Sequence, residues 1–233
     1  MISAPPEAEH SKEKSGRHPA VPYVVPMAVL LLFMVGGSSL GLGPWEYPLR
    51  VGILIVVLAV FSWRQIDLRA PHWAGSVLLG VAVFALWIAP EALWPSYRQL
   101  WPFDNPITGS AESSVPDIWR AMPIVLVFRT LRAVVLVPII EELFWRAWLM
   151  RWLISSRFWE VPLGRYTPYA FWVCAALFAS VHGSYWEVGL VAGVAYNWWM
   201  VRTRSLGDCI LAHAVTNALL SGYVISQQQW QYW

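Results

Sequence analysis

Residues 132–151 read RAVVLVPIIEELFWRAWLMR, and this stretch decides the fold class. It is long enough to cross a membrane, because a spanning α-helix needs about 20 mostly apolar residues. Glu141, Glu142 and Arg146 nevertheless lie in its middle. On an insertion scale, three charges at a helix centre cost about 7 to 10 kcal/mol, whereas the aliphatic and Phe residues return only about 3 to 6 kcal/mol. The helix must therefore face the interior of a bundle or a water-filled cavity.

The composition of the whole chain also indicates a membrane protein. Hydrophobic residues make up 58% of the 233 residues and charged residues 13%, about half the charged fraction of a globular protein. A net charge of +2 gives no reason to expect nucleic acid as a partner. Cys174 and Cys209 both lie in apolar stretches, so we expect buried hydrophobic side chains and not a disulfide.

The hydropathy pattern predicts an all-α, polytopic helical bundle. Residues 1–20 are polar and predict a disordered cytoplasmic tail, and residues 21–233 predict a single transmembrane domain whose first span is an uncleaved signal anchor. The predicted spans are about seven: 21–43, 47–63, 73–94, 131–151, 168–186, 187–201 and 207–226. Residues 119–130 predict an interfacial helix, because Arg120 and Arg129 would lie at depth if it crossed; if it does cross, it is an eighth span.

The distribution of basic residues predicts the orientation. Lys and Arg concentrate on the side that holds the N-terminus, and cytoplasmic loops are the ones that accumulate such residues. We therefore expect a multi-pass protein of the inner (plasma) membrane with a cytoplasmic N-terminus. An eighth span at 119–130 would reverse the orientation of everything after it.

The two carboxylates in the middle of residues 132–151 outnumber the one arginine there. Glu142 and Arg146 are spaced i,i+4, so one carboxylate can neutralise the guanidinium. Glu141 is rotated by about 100° around the helix and is left over. A carboxylate without a charged partner is poised to act as a general base. The alternative is that the pair is only a buried salt bridge that fixes helix packing.

Two later helices carry matching polar faces. Phe178 and His182 are spaced i,i+4, and so are His213 and Asn217. A single His in a membrane helix is more often a packing residue than a catalyst, but two such faces together with a charged one favour a site. The remaining polar positions are expected to be caps or packing residues: Ser180, Ser184, Glu187, Asn197 and Asp208.

Together, the ordered motifs Glu141-Glu142-x-x-x-Arg146, Phe178-x-x-x-His182 and His213-x-x-x-Asn217 resemble those of the CAAX protease and bacteriocin-processing (CPBP) family of intramembrane glutamate proteases. The resemblance covers a motif core of residues 131–226. The stretch 187–209 is also similar to a bacterial branch that is encoded beside exosortase protein-sorting systems.

This resemblance implies a role for each motif residue. Glu141 and His182 would activate a water molecule, and His213 and Asn217 would stabilise the oxyanion. Glu142, Arg146 and Phe178 would orient these groups. The family is regarded as metal-free, so the resemblance implies no cofactor and no metal. It also implies a membrane-associated peptide or protein as substrate, with an exosortase system as a possible partner.

Three alternatives stay open at this point. Two His and a Glu are also the ligands of catalytic zinc, although the usual H-E-x-x-H spacing is missing. The chain is alternatively a non-catalytic scaffold or immunity protein, or a small transporter.

The depths of the two histidines in the membrane are a further point. Straight helices would place His182 and His213 at different depths. Pro138 and Gly183 are the expected helix breaks that would bring the two side chains together.

Overall fold

The structure is a computed structural model that describes residues 18–36 and 41–233. Within these residues the chain forms helices and loops and no β-strand, so the predicted all-α class is confirmed. Residues 1–17 of the predicted disordered tail lie outside the described residues, as do residues 37–40 of the first predicted span.

The helices follow the predicted hydrophobic segments with shifted ends. We number them in chain order: α1 Val21–Val35, α2 Glu46–Val57, α3 Trp73–Leu93, α4 Pro123–Trp152, α5 Pro168–Ser180, α6 Trp186–Thr203 and α7 Leu206–Gln227. A 3₁₀ turn, Gly43–Trp45, leads into α2, and a π-helical turn, Leu58–Ser62, extends it.

Four helical segments in the described part of the chain are long and apolar enough to cross a membrane: Gly43–Ser62, Trp73–Leu93, Pro123–Trp152 and Leu206–Gln227. Two further apolar helices, Val21–Met34 and Pro168–Ser180, are shorter. A membrane protein is therefore indicated, but the predicted count of seven or eight spans is not confirmed. Large apolar side chains such as Leu78 and Leu93 are 71% and 86% exposed, which suits contact with lipid.

The predicted interfacial helix at 119–130 is not a separate element. Asp117–Trp119 is a 3₁₀ turn, and the helix that begins at Pro123 continues without a break through the motif to Trp152. Pro123 occupies the first helical position, where its missing N–H is not needed. The prediction failed because Arg129 need not lie in lipid: it faces a cavity that the sequence does not reveal.

Helix α4 accommodates its proline by widening instead of breaking. Two π-helical segments, Arg132–Leu136 and Leu143–Leu149, flank the α-helical Val137–Glu142 that contains Pro138. Proline lacks the N–H for an i→i−4 bond, and a π turn re-routes the hydrogen bonds around such a position. The break predicted at Pro138 is thus wrong, although the helix is locally irregular there.

The break predicted at Gly183 is confirmed. Helix α5 ends at Ser180, so the predicted span 168–186 is interrupted, and His182 lies just beyond the helix end. Gly183 has φ +54°, a left-handed backbone conformation that side chains with a Cβ rarely adopt. The chain turns here and begins α6 at Trp186.

Close helix pairs surround the motif helix. Helix α3 packs along α7, and α5 packs along α6. Asp208 at the start of α7 is fully buried and accepts hydrogen bonds from the backbone N–H of His72 and the hydroxyl of Ser76, both at 3.0 Å. It thereby ties the start of α7 to the start of α3, which is the packing role expected of it.

Candidate active site

The predicted Glu142–Arg146 pair lies at the centre of the bundle. Both side chains are completely buried, and Nη1 of Arg146 donates to Oε1 of Glu142 at 2.9 Å. Arg146 also donates from Nε to the amide oxygen of Asn197 at 3.1 Å and lies 4.5 Å from the centre of the Phe178 ring. A buried ion pair is tolerated only when such additional contacts satisfy it. The predicted i,i+4 salt bridge is therefore confirmed.

The same carboxylate also binds His213, a contact that the sequence did not predict. Nδ1 of His213 lies 2.8 Å from Oε1 of Glu142. Since an ionised carboxylate only accepts hydrogen bonds, Nδ1 of His213 is the donor. The ring stacks on Tyr196 with 5.1 Å between ring centres. His213 is thus held by a carboxylate and an aromatic face, with Nε2 as its remaining nitrogen.

Glu141 differs from its neighbour: Oε1 of Glu142 binds Arg146 and His213, whereas no hydrogen bond to the side chain of Glu141 is found among the described residues. Its side chain is buried, with 7% of the residue exposed, and Oε2 has no hydrogen-bond partner among the described residues. Burying a carboxylate oxygen without a partner is costly, so such groups are rare and call for an explanation. The sequence analysis expected Glu142 to pair with Arg146 and Glu141 to have no charged partner, and the hydrogen bonds agree with this expectation.

His182 is oriented by the end of α5. Nδ1 lies 2.6 Å from the carbonyl oxygen of Phe178, and because a carbonyl only accepts, Nδ1 is again the donor. The ring packs between Phe178 and Trp87, at 4.6 and 5.5 Å between ring centres. The i,i+4 relation to Phe178 therefore persists beyond the helix, and Nε2 is the nitrogen left to act.

Asn217 is anchored to the motif helix. Its side-chain Nδ2 donates to the carbonyl oxygen of Ala133 at 2.8 Å. Ala133 belongs to the π-helical segment Arg132–Leu136, where the widened turn leaves a carbonyl free to accept. Nδ2 carries two protons, so one remains after this bond.

One cavity collects the predicted side chains. It has a volume of about 760 Å³, and Glu141, His182, His213 and Asn217 all line it together with Phe178. The loop between α3 and α4 adds polar lining at Thr108, Ser110, Glu112 and Ser114. The four side chains for which the resemblance implied direct roles thus share one cavity, and the Glu142–Arg146 pair lies buried beside it.

The sequence analysis did not predict two features of this cavity. Tyr196 lines it, and its hydroxyl donates to Oγ1 of Thr216 at 2.8 Å, which in turn donates to the carbonyl oxygen of Gly80 at 2.9 Å. Neither residue belongs to the three motifs, so the motif spacing does not assign them to the site.

The second missed feature is a close approach of α6 to the motif residues. A Cβ at Gly189 would lie 3.2 Å from His182, and one at Gly193 would lie 3.2 Å from the Phe178 ring. Gly189 and Gly193 form a G-x-x-x-G pattern, which is typical of closely packed membrane helices. The G-x-x-x-G pattern could therefore have predicted from the sequence that α6 packs closely against a neighbouring helix.

The alternative of a zinc site requires several His, Cys, Asp or Glu side chains close to one another. Within residues 18–36 and 41–233, no three or more His, Cys, Asp and Glu side chains are grouped so that they could hold a metal ion. Glu141, His182 and His213 line the same cavity, but they do not form such a group.

Comparison with known proteins identifies the motif region. Residues 123–219 match the family model described as Rce1-like, the type II CAAX prenyl endopeptidase family. No curated protein and no solved structure matches the chain significantly. The match runs from the first residue of α4 into α7 and contains all three motifs.

The family match agrees with the resemblance inferred from the motifs, although it does not identify an exosortase-associated branch. The Rce1-like family implies intramembrane protease activity toward CAAX proteins, and hence a membrane-associated substrate. Over residues 123–219, which carry Glu141, His182, His213 and Asn217, the chain is similar to the Rce1-like type II CAAX prenyl endopeptidases.

Proposed function

We propose that the protein is an intramembrane endopeptidase that hydrolyses a peptide bond with a water molecule activated by Glu141, without a metal ion. The single observation that carries this proposal is the position of Glu141. Among the described residues, Oε2 of Glu141 is buried without a hydrogen-bond partner, and Glu141 lines the same cavity as two imidazoles and a carboxamide. Amide hydrolysis needs a base for water and donors for the oxyanion, and these groups supply both.

The hydrogen bonds of the two histidines support different roles for them. In neutral His182, Nδ1–H donates to Phe178, so Nε2 is an acceptor that helps Glu141 to hold and deprotonate water. Nδ1–H of His213 donates to the carboxylate of Glu142, so Nε2 is the nitrogen directed at the oxyanion, to which it donates when it carries a proton. The second N–H of Asn217 is a further donor for the oxyanion.

In the proposed reaction, the water oxygen attacks the carbonyl carbon while one water proton passes to Glu141. The carbonyl oxygen becomes an oxyanion that accepts hydrogen bonds from His213 and Asn217. When the C–N bond breaks, the proton held by Glu141 passes to the leaving amine, and the second fragment leaves as a carboxylic acid. Glu141 returns to its starting state, so one water is consumed per bond.

A cleavage assay tests this function. The full chain in lipid nanodiscs is incubated with an internally quenched peptide that bears a farnesylated cysteine near its C-terminus, and with the same peptide lacking the lipid. We expect cleavage of the lipidated peptide, detected by fluorescence and located by mass spectrometry. Absence of cleavage with this peptide and with membrane-anchored sorting-signal peptides would favour the scaffold or transporter.

The natural substrate is a narrower proposal. The similarity of residues 187–209 to an exosortase-associated branch suggests a protein carrying a sorting signal, processed at the inner membrane by a chain with its N-terminus in the cytoplasm. Cleavage of a sorting-signal peptide in preference to the farnesylated peptide would support it. A reporter fused to the N-terminus tests the proposed orientation. If the reporter were accessible only from outside the cell, the proposed cytoplasmic N-terminus would be contradicted.

Metal independence gives a separate prediction. Because we assign the activation of water to Glu141, 1,10-phenanthroline or EDTA should leave the cleavage rate unchanged within about twofold, whereas removal of a catalytic zinc abolishes its activity. The metal content of the purified protein is measured in parallel by mass spectrometry. Stoichiometric zinc that is lost together with activity, and restored with it, would contradict the proposal.

The glycine face of α6 gives a prediction about positioning. Gly189→Val would place a branched side chain against His182, since even a Cβ there would lie 3.2 Å from it. Displacement of a reacting group by about 1 Å can cost about 100-fold in rate, so we expect a loss of that order in kcat. Gly52→Val in α2 is the matched control, because, its own stretch of helix aside, no atom of residues 18–36 and 41–233 lies within 4 Å of a Cβ at that position. Similar rates for the two variants would show that His182 does not need its present position.

A further inference from the structure

Arg98 is a buried arginine that ties together two distant segments of the chain. It lies in the 3₁₀ turn Tyr97–Gln99 of the loop between α3 and α4, and only 5% of the residue is exposed. Its Nη1 donates to the carbonyl oxygen of Ser184 at 2.6 Å and to Oε2 of Glu187 at 2.8 Å. Burying a guanidinium is costly unless hydrogen bonds and opposite charges compensate for it. These contacts therefore hold the loop against the start of α6.

The guanidinium of Arg98 is itself fixed in position by further contacts. Its Nε lies 3.8 Å from Oε1 of Glu91, near the end of α3. Its central carbon lies 4.2 Å from the centre of the Tyr185 ring and 5.2 Å from that of Phe103. Aromatic faces attract a guanidinium at such distances. A side chain held in this way can in turn hold the backbone to which it donates.

The segment that Arg98 holds is the turn that carries His182. Helix α5 ends at Ser180, so its regular hydrogen bonds do not extend to His182. The backbone N–H of Tyr185 donates to the carbonyl oxygen of His182 at 3.0 Å and closes the turn. The ring of Trp87 lies 5.5 Å from that of His182 and 6.2 Å from that of Tyr185, measured between ring centres. A shift of this turn would therefore move the imidazole.

Two neutral hydrogen bonds join the same loop to this turn. Oγ of Ser184 donates to the carbonyl oxygen of Thr108 at 3.4 Å, and the indole N–H of Trp186 donates to that of Pro102 at 2.9 Å. Hydrogen bonds from a charged donor are about twice as strong as neutral ones. We therefore expect Arg98 to contribute most to holding the turn.

We propose that Arg98 is a positioning residue for His182. By holding the turn Gly183–Tyr185, it keeps Nε2 of His182 within reach of the water that Glu141 activates. This inference rests on the proposed protease function. Arg98 lies before residues 123–219, so the family match assigns it no role. It is also not among the described residues that line the cavity, so it acts through the turn and not on the substrate.

Arg98→Lys tests the hold on the turn. Lysine keeps the positive charge beside Glu187 but lacks the planar fork and its stacking on Tyr185, so the exchange is not conservative at such a site. We expect kcat for the farnesylated, quenched peptide to fall by about tenfold or more, because small displacements of a reacting group are costly. KM should stay within about threefold, since the contacts with the substrate are unchanged.

Glu187→Gln is the matched control. It removes the charge that pairs with Arg98 but keeps a side-chain oxygen that accepts from Nη1, and the hydrogen bond to Ser184 is retained. We expect kcat to stay within about threefold, as for a group outside the chemical step. A loss equal to that of Arg98→Lys would show that the ion pair matters and not the hold on the turn, and would overturn the proposal.

A double-mutant cycle with His182 distinguishes positioning from general support of the fold. Cleavage rates of the full chain in nanodiscs are measured for Arg98→Lys, His182→Ala and the double variant. The double variant should cleave as fast as His182→Ala within about threefold, because the residue to be positioned is already gone. A structural role would instead add the loss of about tenfold to that of His182→Ala, and this result would contradict the proposal.

Further measurements keep the result independent of a single replacement. Size-exclusion profiles and helical circular dichroism establish that each variant is folded, and Arg98→Gln repeats the cycle without the charge. Unchanged kcat in both Arg98 variants would overturn the proposal. If the unmodified chain cleaves the peptide and the Arg98 variants match it, only this inference fails. If the unmodified chain does not cleave, the protease function fails, and this inference fails with it.

Discussion

Glu141→Gln should abolish cleavage while leaving the protein folded. Glutamine keeps the size and most of the hydrogen bonding of the side chain but cannot accept the proton of water. General-base catalysis contributes about 100- to 10,000-fold to a rate, so we expect kcat to fall by about 1,000-fold or more. The measurement is the initial rate of cleavage of the farnesylated, quenched peptide by the variant and the unmodified chain in identical nanodiscs.

Glu112→Gln is the matched control for this prediction. Glu112 also lines the cavity but is exposed on the loop between α3 and α4. Its replacement removes the same charge from the same cavity and should change kcat by less than about threefold, as expected for a group outside the chemical step. A Glu141→Gln enzyme that retains more than a tenth of the rate would remove Glu141 from the role of base.

The second large effect concerns stability. Arg146→Met leaves the carboxylate of Glu142 completely buried without its arginine partner, with only the hydrogen bond from Nδ1 of His213 remaining. Removing one member of a buried ion pair typically costs about 3 to 5 kcal/mol, because the other charge stays uncompensated. We expect the free energy of unfolding in detergent to fall by about that amount, measured by the loss of helical circular dichroism with added denaturant.

An exposed pair in the same chain supplies the control. Arg157 and Glu160 are spaced i,i+3 and are 70% and 52% exposed, so Arg157→Met should cost less than about 1 kcal/mol. The double variant Glu142→Leu with Arg146→Met should recover part of the stability that Arg146→Met loses, since no charge is then left alone. Equal stabilities for Arg146→Met and Arg157→Met would show that the buried pair contributes nothing to the fold.

Much of the fold and of the candidate site could be predicted from the charged residues that lie inside apolar segments of the sequence. Glu141, Glu142 and Arg146 are costly in lipid, so their presence alone requires a protected interior, and the structure buries all three. The i,i+4 spacings correctly predict the Glu142–Arg146 bond and the contact of His182 with Phe178. These features are predictable because they are local, and helix geometry fixes which neighbours meet.

The features that the sequence did not predict depend on contacts between distant segments. His213 binds Glu142 across 71 positions of the chain, and helical spacing says nothing about such a pairing. We expected Arg129 to stay out of the membrane, because the cavity that it lines is formed jointly by several helices and is not visible in the sequence. The continuous α4 was missed for the same reason, since the cost of a charge depends on what packs around it.

The irregular backbone was only partly predictable. Gly183 marks a break because its positive φ is available mainly to glycine. Pro138 was a reasonable candidate for another, yet the helix instead forms π turns before and after it. Whether a helix breaks or widens at a proline depends on partners for the freed carbonyls, and Asn217 supplies one at Ala133.

The role of Glu141 in activating water is tested by an experimental map of the full chain in nanodiscs that resolves ordered water in the cavity. We expect one water within about 3 Å of both the Glu141 carboxylate and Nε2 of His182, as hydrogen bonding requires. We also expect this water to be lost or displaced in Glu141→Leu. A map in which the Glu141 carboxylate lies more than about 6 Å from Nε2 of His182, too far for one bridging water, would contradict it.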